Sequence, residues 1–329
     1  MNERGGIMKN SKQNPKILQD FLIYITVIQG KAKRTRAEYE YDLSLFLRFL
    51  TCMSENVDFE QIETIDIKHI DAEFIKGITL EDIYMFLEYC ETYRGNGNSS
   101  KARKVASIRA YFKYLYKKKK VVTVNPAEEL ETPKKGKRNP IYLTIDEVDV
   151  LKTGIRKTHY LRDYCIVTLF LNCGLRISEL CGINTTDING DVLKVIGKGN
   201  KEREVYLNEA CLCAIDEYIN YEREIRENIA DAKALFLSQK GTRLTPRTVQ
   251  QLIKNLNERS GLGKEKLSPH KLRHTMATLS YQNGADILSL QQILGHSSVA
   301  TTQIYTQSNS EILRSTAQSN PFNKPIRNS

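Results

Sequence analysis

The chain reads as a mainly α protein of two domains with one small β-hairpin or sheet. Three observations predict this. Apolar residues recur at helical spacing in both halves, and most of these stretches open on a capping residue or a proline. A basic segment punctuated by prolines, residues 121–140, separates the halves. The clearest β-like pair of runs flanks a single turn, Gly197-Lys-Gly-Asn-Lys201. At about 150 residues per domain, a chain of 329 residues is expected to form two domains.

In the first half, residues 1–14 read as a disordered tail. Pro15 to Gln29 reads as a helix carrying Ile17, Leu18, Phe21, Leu22 and Ile25. Thr35 and Glu38 have the spacing of a capping box, with Tyr39, Leu43, Phe46, Leu47 and Leu50 on one face behind them. Residues 51–78 read as a polar, charged connection with room for one short turn. Thr79-Leu-Glu-Asp82 opens a third helix through Tyr89. Ser99 or Ser100 is expected to cap a fourth, to about Tyr116. In it Val105, Ile108, Phe112 and Leu115 form the buried stripe, and Lys101, Arg103, Lys104, Arg109 and Lys113 are left to face a partner. Asn125-Pro126, Thr132-Pro133 and the basic residues from Lys134 to Arg138 predict an extended linker.

In the second half, Thr144 and Glu147 again have capping-box spacing. Tyr160 to Cys173 is an apolar helix stopped by Gly174, with Arg176 next and a short helix over Ile177–Cys181. Val192–Ile196 and Glu202–Leu207 predict the hairpin, with lysines at its tip. Asn208–Glu224 reads as a helix and Ala234–Leu237 as a short strand. Thr245-Pro246 and Ser268-Pro269 each open a further helix, with proline at its first position.

Composition narrows the function. Residues 101–140 carry thirteen Lys or Arg against three Glu, and so account for the whole formal charge of +10. A block so concentrated reads first as a polyanion-binding segment, with a solvated face and flexible linker as the alternative. The polar N-terminus does not read as a secretory signal, and the most apolar stretch is too short to cross a bilayer. Seven cysteines without a Cys-x-x-Cys pair or zinc spacing predict reduced thiols and a cytoplasmic protein; Cys165, Cys173 and Cys181 sit in apolar helical runs.

Chemistry gathers in Ser268–Gln307, which holds three of the five histidines. His270 and Arg273 lie three apart at a helix start, where free amides and the helix dipole favour an anion. A capped or core histidine is the competing reading. Arg176, behind a buried apolar helix, needs a partner: a salt bridge to Glu179, or the two oxygens of a phosphate. Lys198 at the hairpin tip is either a solvated charge or a proton donor to a leaving oxygen. Tyr305 is either a core tyrosine or a nucleophile served by arginines and a base.

Four motifs share an order. Gly174-Leu-Arg-Ile-Ser-Glu-Leu180, Val195-Ile-Gly-Lys-Gly-Asn-Lys-Glu-Arg203, Pro269-His-Lys-Leu-Arg-His-Thr-Met-Ala277 and Leu294-Gly-His-Ser-Ser298, with Tyr305 nine residues past His296, resemble the tyrosine recombinases, most closely their Xer type. The resemblance implies a helical DNA core-binding (SAM-like) domain over 14–120, a basic linker over 121–140 and a catalytic domain over 141–322. It implies a catalytic set of Arg176, Lys198, His270, Arg273, His296 and Tyr305, with Tyr305 forming a 3′-phosphotyrosyl bond and the reaction proceeding through a Holliday junction. DNA contacts are expected from Lys101, Arg103, Lys104, Lys201, Thr245 and Arg247. It further implies metal-free, cofactor-free chemistry on double-stranded DNA, four protomers (alike or paired with a related recombinase), a chain end over 308–329 that docks into a neighbour, and a role in chromosome-dimer resolution that can involve a DNA translocase. The rival readings are a mobile-element integrase, a phase-variation invertase, and a non-catalytic DNA-binding protein on this fold.

Overall fold

The computed structural model describes residues 14–134, 141–197 and 201–295. The chain divides between Arg138 and Asn139 into two units, each with its own apolar core.

The first unit is helical. Its elements are α1 (Lys16–Ile23, continued by a π-helical turn over Tyr24–Ile28), α2 (Lys33–Glu55), α3 (Ala72–Lys76), α4 (Leu80–Thr92) and α5 (Asn98–Tyr114, ending in a second π-helical turn). Thr79 and Asp82 form the expected capping box of α4. The other two predicted caps are not made. α2 begins at Lys33, two residues before Thr35, and α5 begins at Asn98 behind Gly97. In both cases the helix starts ahead of the residue whose side chain suggested a start, at exposed positions. Phe21, Phe46, Phe49, Phe86, Tyr111 and Phe112 fill the core.

Three expectations for this unit are corrected. Residues 51–78 are not a loose connection. α2 runs on to Glu55, and a 3₁₀ turn over Phe59–Thr64 and α3 follow, held by buried Ile62, Ile67, Ile70, Ile75 and Ile78. Residues 121–134 are not a free linker, because Val122, Ala127 and Leu130 are buried in the same core. Lys101 and Lys104 do not face a partner. Lys104 is 2% exposed with its ammonium 3.2 Å from buried Asp42, and Lys101 is paired with Glu91 at 2.6 Å. Arg103, at the rim, also bonds Asp42. A carboxylate inside an apolar core draws cations inward, and a helical wheel drawn from α5 alone cannot show it.

The second unit comprises α6 (Ile145–Thr153), α7 (Tyr160–Cys173), α8 (Ile177–Gly182), β1 (Ile188–Asn189), β2 (Val192–Ile196), β3 (Glu202–Tyr206), α9 (Glu209–Tyr218), α10 (Pro246–Arg259), α11 (Pro269–Gln282) and α12 (Ile287–Leu294). Thr144 and Glu147 cap α6, and Thr245 accepts from the Thr248 amide ahead of Pro246. The predicted hairpin is present, antiparallel, with Val195 opposite Arg203, and short β1 adds a third strand in the order β1-β2-β3. The strand expected at Ala234–Leu237 is reduced to two isolated bridges. α7 is the central helix, packed on α9 and α11. Cys165, Cys173 and Cys181 are buried free thiols. No helix among the described residues is long and apolar enough to cross a membrane.

α7 stops where the site begins. Gly174 has φ +55°, and a Cβ built there would lie 2.9 Å from Leu294 Cδ2 and 3.2 Å from Met276 Sδ. Gly174→Ala is therefore expected to combine left-handed backbone strain with a core overlap, costing about 2 kcal/mol in denaturant unfolding. A loss below about 0.5 kcal/mol would mean that α12 shifts freely away from this turn.

Candidate active site

Four elements meet around one buried carboxylate. Glu179, on α8, has a fully buried side chain. Its Oε1 accepts from Arg176 Nη1 at 2.7 Å. Its Oε2 accepts from the Arg176 amide at 2.8 Å and from Arg203 Nη2, on β3, at 2.8 Å. Arg273 Nη1, from the first turns of α11, stands 4.0 Å from the same oxygen. Burial by itself would raise the Glu179 carboxyl. The Arg203 hydrogen bond, the Arg176 amide and the guanidinium charges outweigh it and hold the group below the ordinary carboxylate range.

The arginines also close the end of α12. Arg176 Nη2 donates to Gly295 O at 2.7 Å, Arg273 Nη2 to Leu294 O, and Arg203 Nη1 to Ile293 O. The last carbonyls of a helix have no intrahelical donor and sit at its negative end, so three cations there satisfy both needs. Arg273 Nη1 reaches back to Gly174 O at 2.6 Å, tying α11 to the α7 stop.

Arg176 and Arg273, remote in sequence, are thus brought together. Arg176 makes the salt bridge to Glu179 with one nitrogen and keeps a side chain 33% exposed, whereas Arg273 is 4% exposed. The two readings of Arg176 are compatible, because one guanidinium can lean on a carboxylate and still present an edge outward. His270 is exposed on the first turn of α11, its ring edge-on to His274 with centroids 4.6 Å apart. Partial desolvation, then the charges of Arg273, Lys271 and Arg176, hold its imidazole below the usual histidine range, so it is neutral near pH 7.

Lys198, His296 and Tyr305 lie outside the described residues. The described residues just before the first two both touch the arginine cluster. A Cβ built on Gly197 would lie 3.4 Å from Glu179 Oε1 and 3.8 Å from Arg176 Nη1, and one on Gly295 would lie 3.5 Å from Arg176 Nη1. Of the expected DNA contacts, Lys201, Thr245 and Arg247 are exposed and Arg103 is part-exposed, while Lys101 and Lys104 are buried as described. Lys119 of the four-lysine run pairs with Asp20 at 2.6 Å.

Residues 142–311 match the model of the phage integrase family. The chain is 46% identical to tyrosine recombinase XerC of Caldanaerobacter subterraneus subsp. tengcongensis over 94% of its own length and 88% of that protein. The chain belongs to the phage integrase family, as a Xer-type tyrosine recombinase. Tyrosine recombinase XerD of Proteus mirabilis is 33% identical to it over 93% of this chain and 92% of that one. In fold, the recombinase resembles XerH site-specific recombinase bound to a palindromic difH substrate, with TM-score 0.66 at 21% identity over 93% of this chain and 97% of that one. It also resembles a lambda integrase dimer bound to a COC′ core site, with TM-score 0.66 at 19% identity over 87% and 95%.

Sequence reasoning recognised Glu179 only as a partner for Arg176 and assigned nothing to Arg203. The signal for Arg203 lay in the period-2 pattern of its strand. It shares a face with buried Val205, opposite exposed Glu202 and Glu204.

Proposed function

We propose that this recombinase cuts and rejoins double-stranded DNA at a specific site through a 3′-phosphotyrosyl intermediate and a Holliday junction, with chromosome-dimer resolution as its role. The observation that carries this is the convergence of Arg176 and Arg273, from separate motifs, beside His270. Two guanidinium groups held in place before the reaction can neutralise a scissile phosphate as its charge grows; removing one such donor costs about 3 kcal/mol of barrier.

In the proposed reaction the Tyr305 phenol attacks phosphorus, and His270, neutral and beside the arginines, takes the phenolic proton. The bond from phosphorus to the 5′ oxygen breaks, and Lys198 supplies the proton to that leaving oxygen. His296 donates to a non-bridging oxygen. The released 5′ hydroxyl then attacks the partner strand's phosphotyrosine, so each bond broken is matched by one formed and no external energy source enters strand exchange. No metal or cofactor has a part in this scheme.

The unit ending at Arg138 is proposed as the core-binding domain and the unit beginning at Asn139 as the catalytic domain. Exposed Lys201, Thr245, Arg247 and Arg103 fit DNA contacts. The working assembly is proposed as four protomers on two duplexes in the cytoplasm, alike or paired with a related recombinase, with a translocase as an optional partner. Identity to a XerC protein along nearly the whole chain favours the chromosomal role over a mobile-element one.

The test begins with sheared chromosomal DNA, from which the protein recovers its bound site. A suicide duplex of that site, nicked close to the cleavage position so that the cut fragment is lost, is then incubated with the protein. A covalent adduct on denaturing electrophoresis, with Tyr305 in the labelled peptide, is the expected result. Tight, specific binding without any adduct would leave only the non-catalytic reading.

The lowered His270 value adds a pH prediction. Cleavage needs the neutral imidazole, which persists to lower pH when proton binding is disfavoured. At low DNA concentration, where the free protein's groups are reported, the acid midpoint should lie below the ordinary histidine value of about 6.5. His270→Asn should slow cleavage and remove that limb; a midpoint above about 6.5 would assign the pH dependence to another group.

A further inference from the structure

Arg203 has the geometry of a working residue with no part in the scheme above. It leaves β3 on the buried face, opposite Val195 in β2, just beyond the hairpin tip. Its guanidinium joins Glu179 Oε2 on α8 to the Ile293 carbonyl at the end of α12. Its stem packs on Gly295, where a built Cβ would lie 3.0 Å from Arg203 Cδ and 3.1 Å from Nε. Among the described residues that Nε is buried without a hydrogen-bond partner, so the side chain is held here by its two fork nitrogens and its packing.

The three arginines divide their duties unequally. Arg176 and Arg273 each give a nitrogen to an α12 carbonyl that competes with the phosphate they are proposed to bind. Arg203 serves only the scaffold. It supplies one of the charged donors to the Glu179 oxygen that Arg176 contacts through its backbone amide rather than its guanidinium. Without Arg203, that oxygen loses a charged donor and keeps an unbalanced share of buried negative charge. The nearest replacements are the guanidinium of Arg176 and that of Arg273, already 4.0 Å away. A carboxylate that captures either fork draws it from the phosphate.

We infer that Arg203 is a positioning residue, one that occupies Glu179 and the end of α12 so that Arg176 and Arg273 stay turned toward the scissile phosphate. The inference rests on the assignment of those two arginines to the phosphate. Arg203 also links the hairpin that carries Lys198 to the helix end that precedes His296, two parts of the proposed set that are otherwise about 100 residues apart.

The test uses the full-length protein and the suicide duplex of its recovered site in two forms. One has the natural phosphodiester at the cleavage position. The other has a methylphosphonate, in which a methyl group replaces one non-bridging oxygen and removes the charge that the arginines neutralise. On the phosphodiester, Arg203→Ala should slow adduct formation at saturating DNA on the order of 30-fold, with duplex Kd within about threefold of wild type. On the methylphosphonate, the gap between variant and wild type should close to about threefold or less, because misdirected arginines matter less to a neutral centre. Arg203→Lys, able to bond one partner at a time, should fall between. Arg176→Ala gives the benchmark for a lost phosphate ligand.

A phosphodiester rate within about twofold of wild type would overturn the inference. An equal loss on both duplexes would also overturn it, since a general folding defect does not distinguish them. Should Arg203→Ala fail to fold by thermal unfolding, Arg203→Lys is assayed on the same pair of duplexes, and either of those two results would overturn the inference in the same way. Absence of an adduct from the wild-type protein would count against the proposed reaction itself. A wild-type adduct with an unaffected Arg203→Ala counts against Arg203 alone.

Discussion

Tyr305→Phe is expected to abolish the covalent protein–DNA adduct while leaving affinity for the recovered duplex within about twofold. The change removes one oxygen and keeps the ring. If that oxygen is the attacking group, the loss is of the chemical step alone, at least about 10⁴-fold, the scale on which removal of a nucleophile is read. Binding rests on groups elsewhere in the proposal, and those survive. The chain has 17 tyrosines, so the experiment also decides among them. Tyr111, for instance, is fully buried in the helical core and its phenol is pushed well above the ordinary range by desolvation, which suits packing and not attack. An adduct that persists in Tyr305→Phe would move the nucleophile to another tyrosine and undo the assigned order of motifs.

Glu179→Ala is the second large effect, and it acts on stability and activity together. The carboxylate is the one negative group facing Arg176, Arg203 and Arg273 among the described residues. Removing it takes away the carboxylate that these three cations share, and loss of one partner from a buried ion pair typically costs about 3–5 kcal/mol. Arg176 is one-third exposed and can rehydrate, so the lower end, about 3 kcal/mol, is expected in denaturant unfolding. Adduct formation should fall at least about tenfold even below the unfolding transition, because the forks lose their common anchor. The pH sign follows from the depressed carboxyl. Its stabilisation is complete above the ordinary carboxylate range and is lost as pH falls through the lowered folded-state value. Glu179→Gln should therefore be less stable than wild type at neutral pH, with the difference shrinking in acid. A difference independent of pH would show that the ion pairs are not its source.

How much of this was legible in the chain depends on the range of each interaction. Local devices read well. The Thr79–Asp82 and Thr144–Glu147 boxes, the glycine stop of α7, the proline starts of α10 and α11, and the hairpin follow from residues three or four apart, or from a turn that admits positive φ. Local reading failed where a distant surface decided. The isoleucines of 62–78 keep neither helical nor strand period, yet five of them are buried in the one core. Val122, Ala127 and Leu130 are inconspicuous among prolines and charges until a core is present to receive them.

By itself the sequence determined the family, the two-part helical organisation and the inventory of chemical groups, because each rests on residue identity and order along the chain. Only the tertiary structure decided which charges face inward. It turned Lys101 and Lys104 from expected DNA contacts into buried partners of Glu91 and Asp42. It also made Glu179 the shared anchor of Arg176, Arg203 and Arg273, and set those arginines on three successive carbonyls at the end of α12. The physical reason is that a buried charge is tolerable only when its counter-charge and hydrogen bonds arrive with it. The groups that supply them lie up to 119 residues apart, joined by packing and not by any periodic pattern.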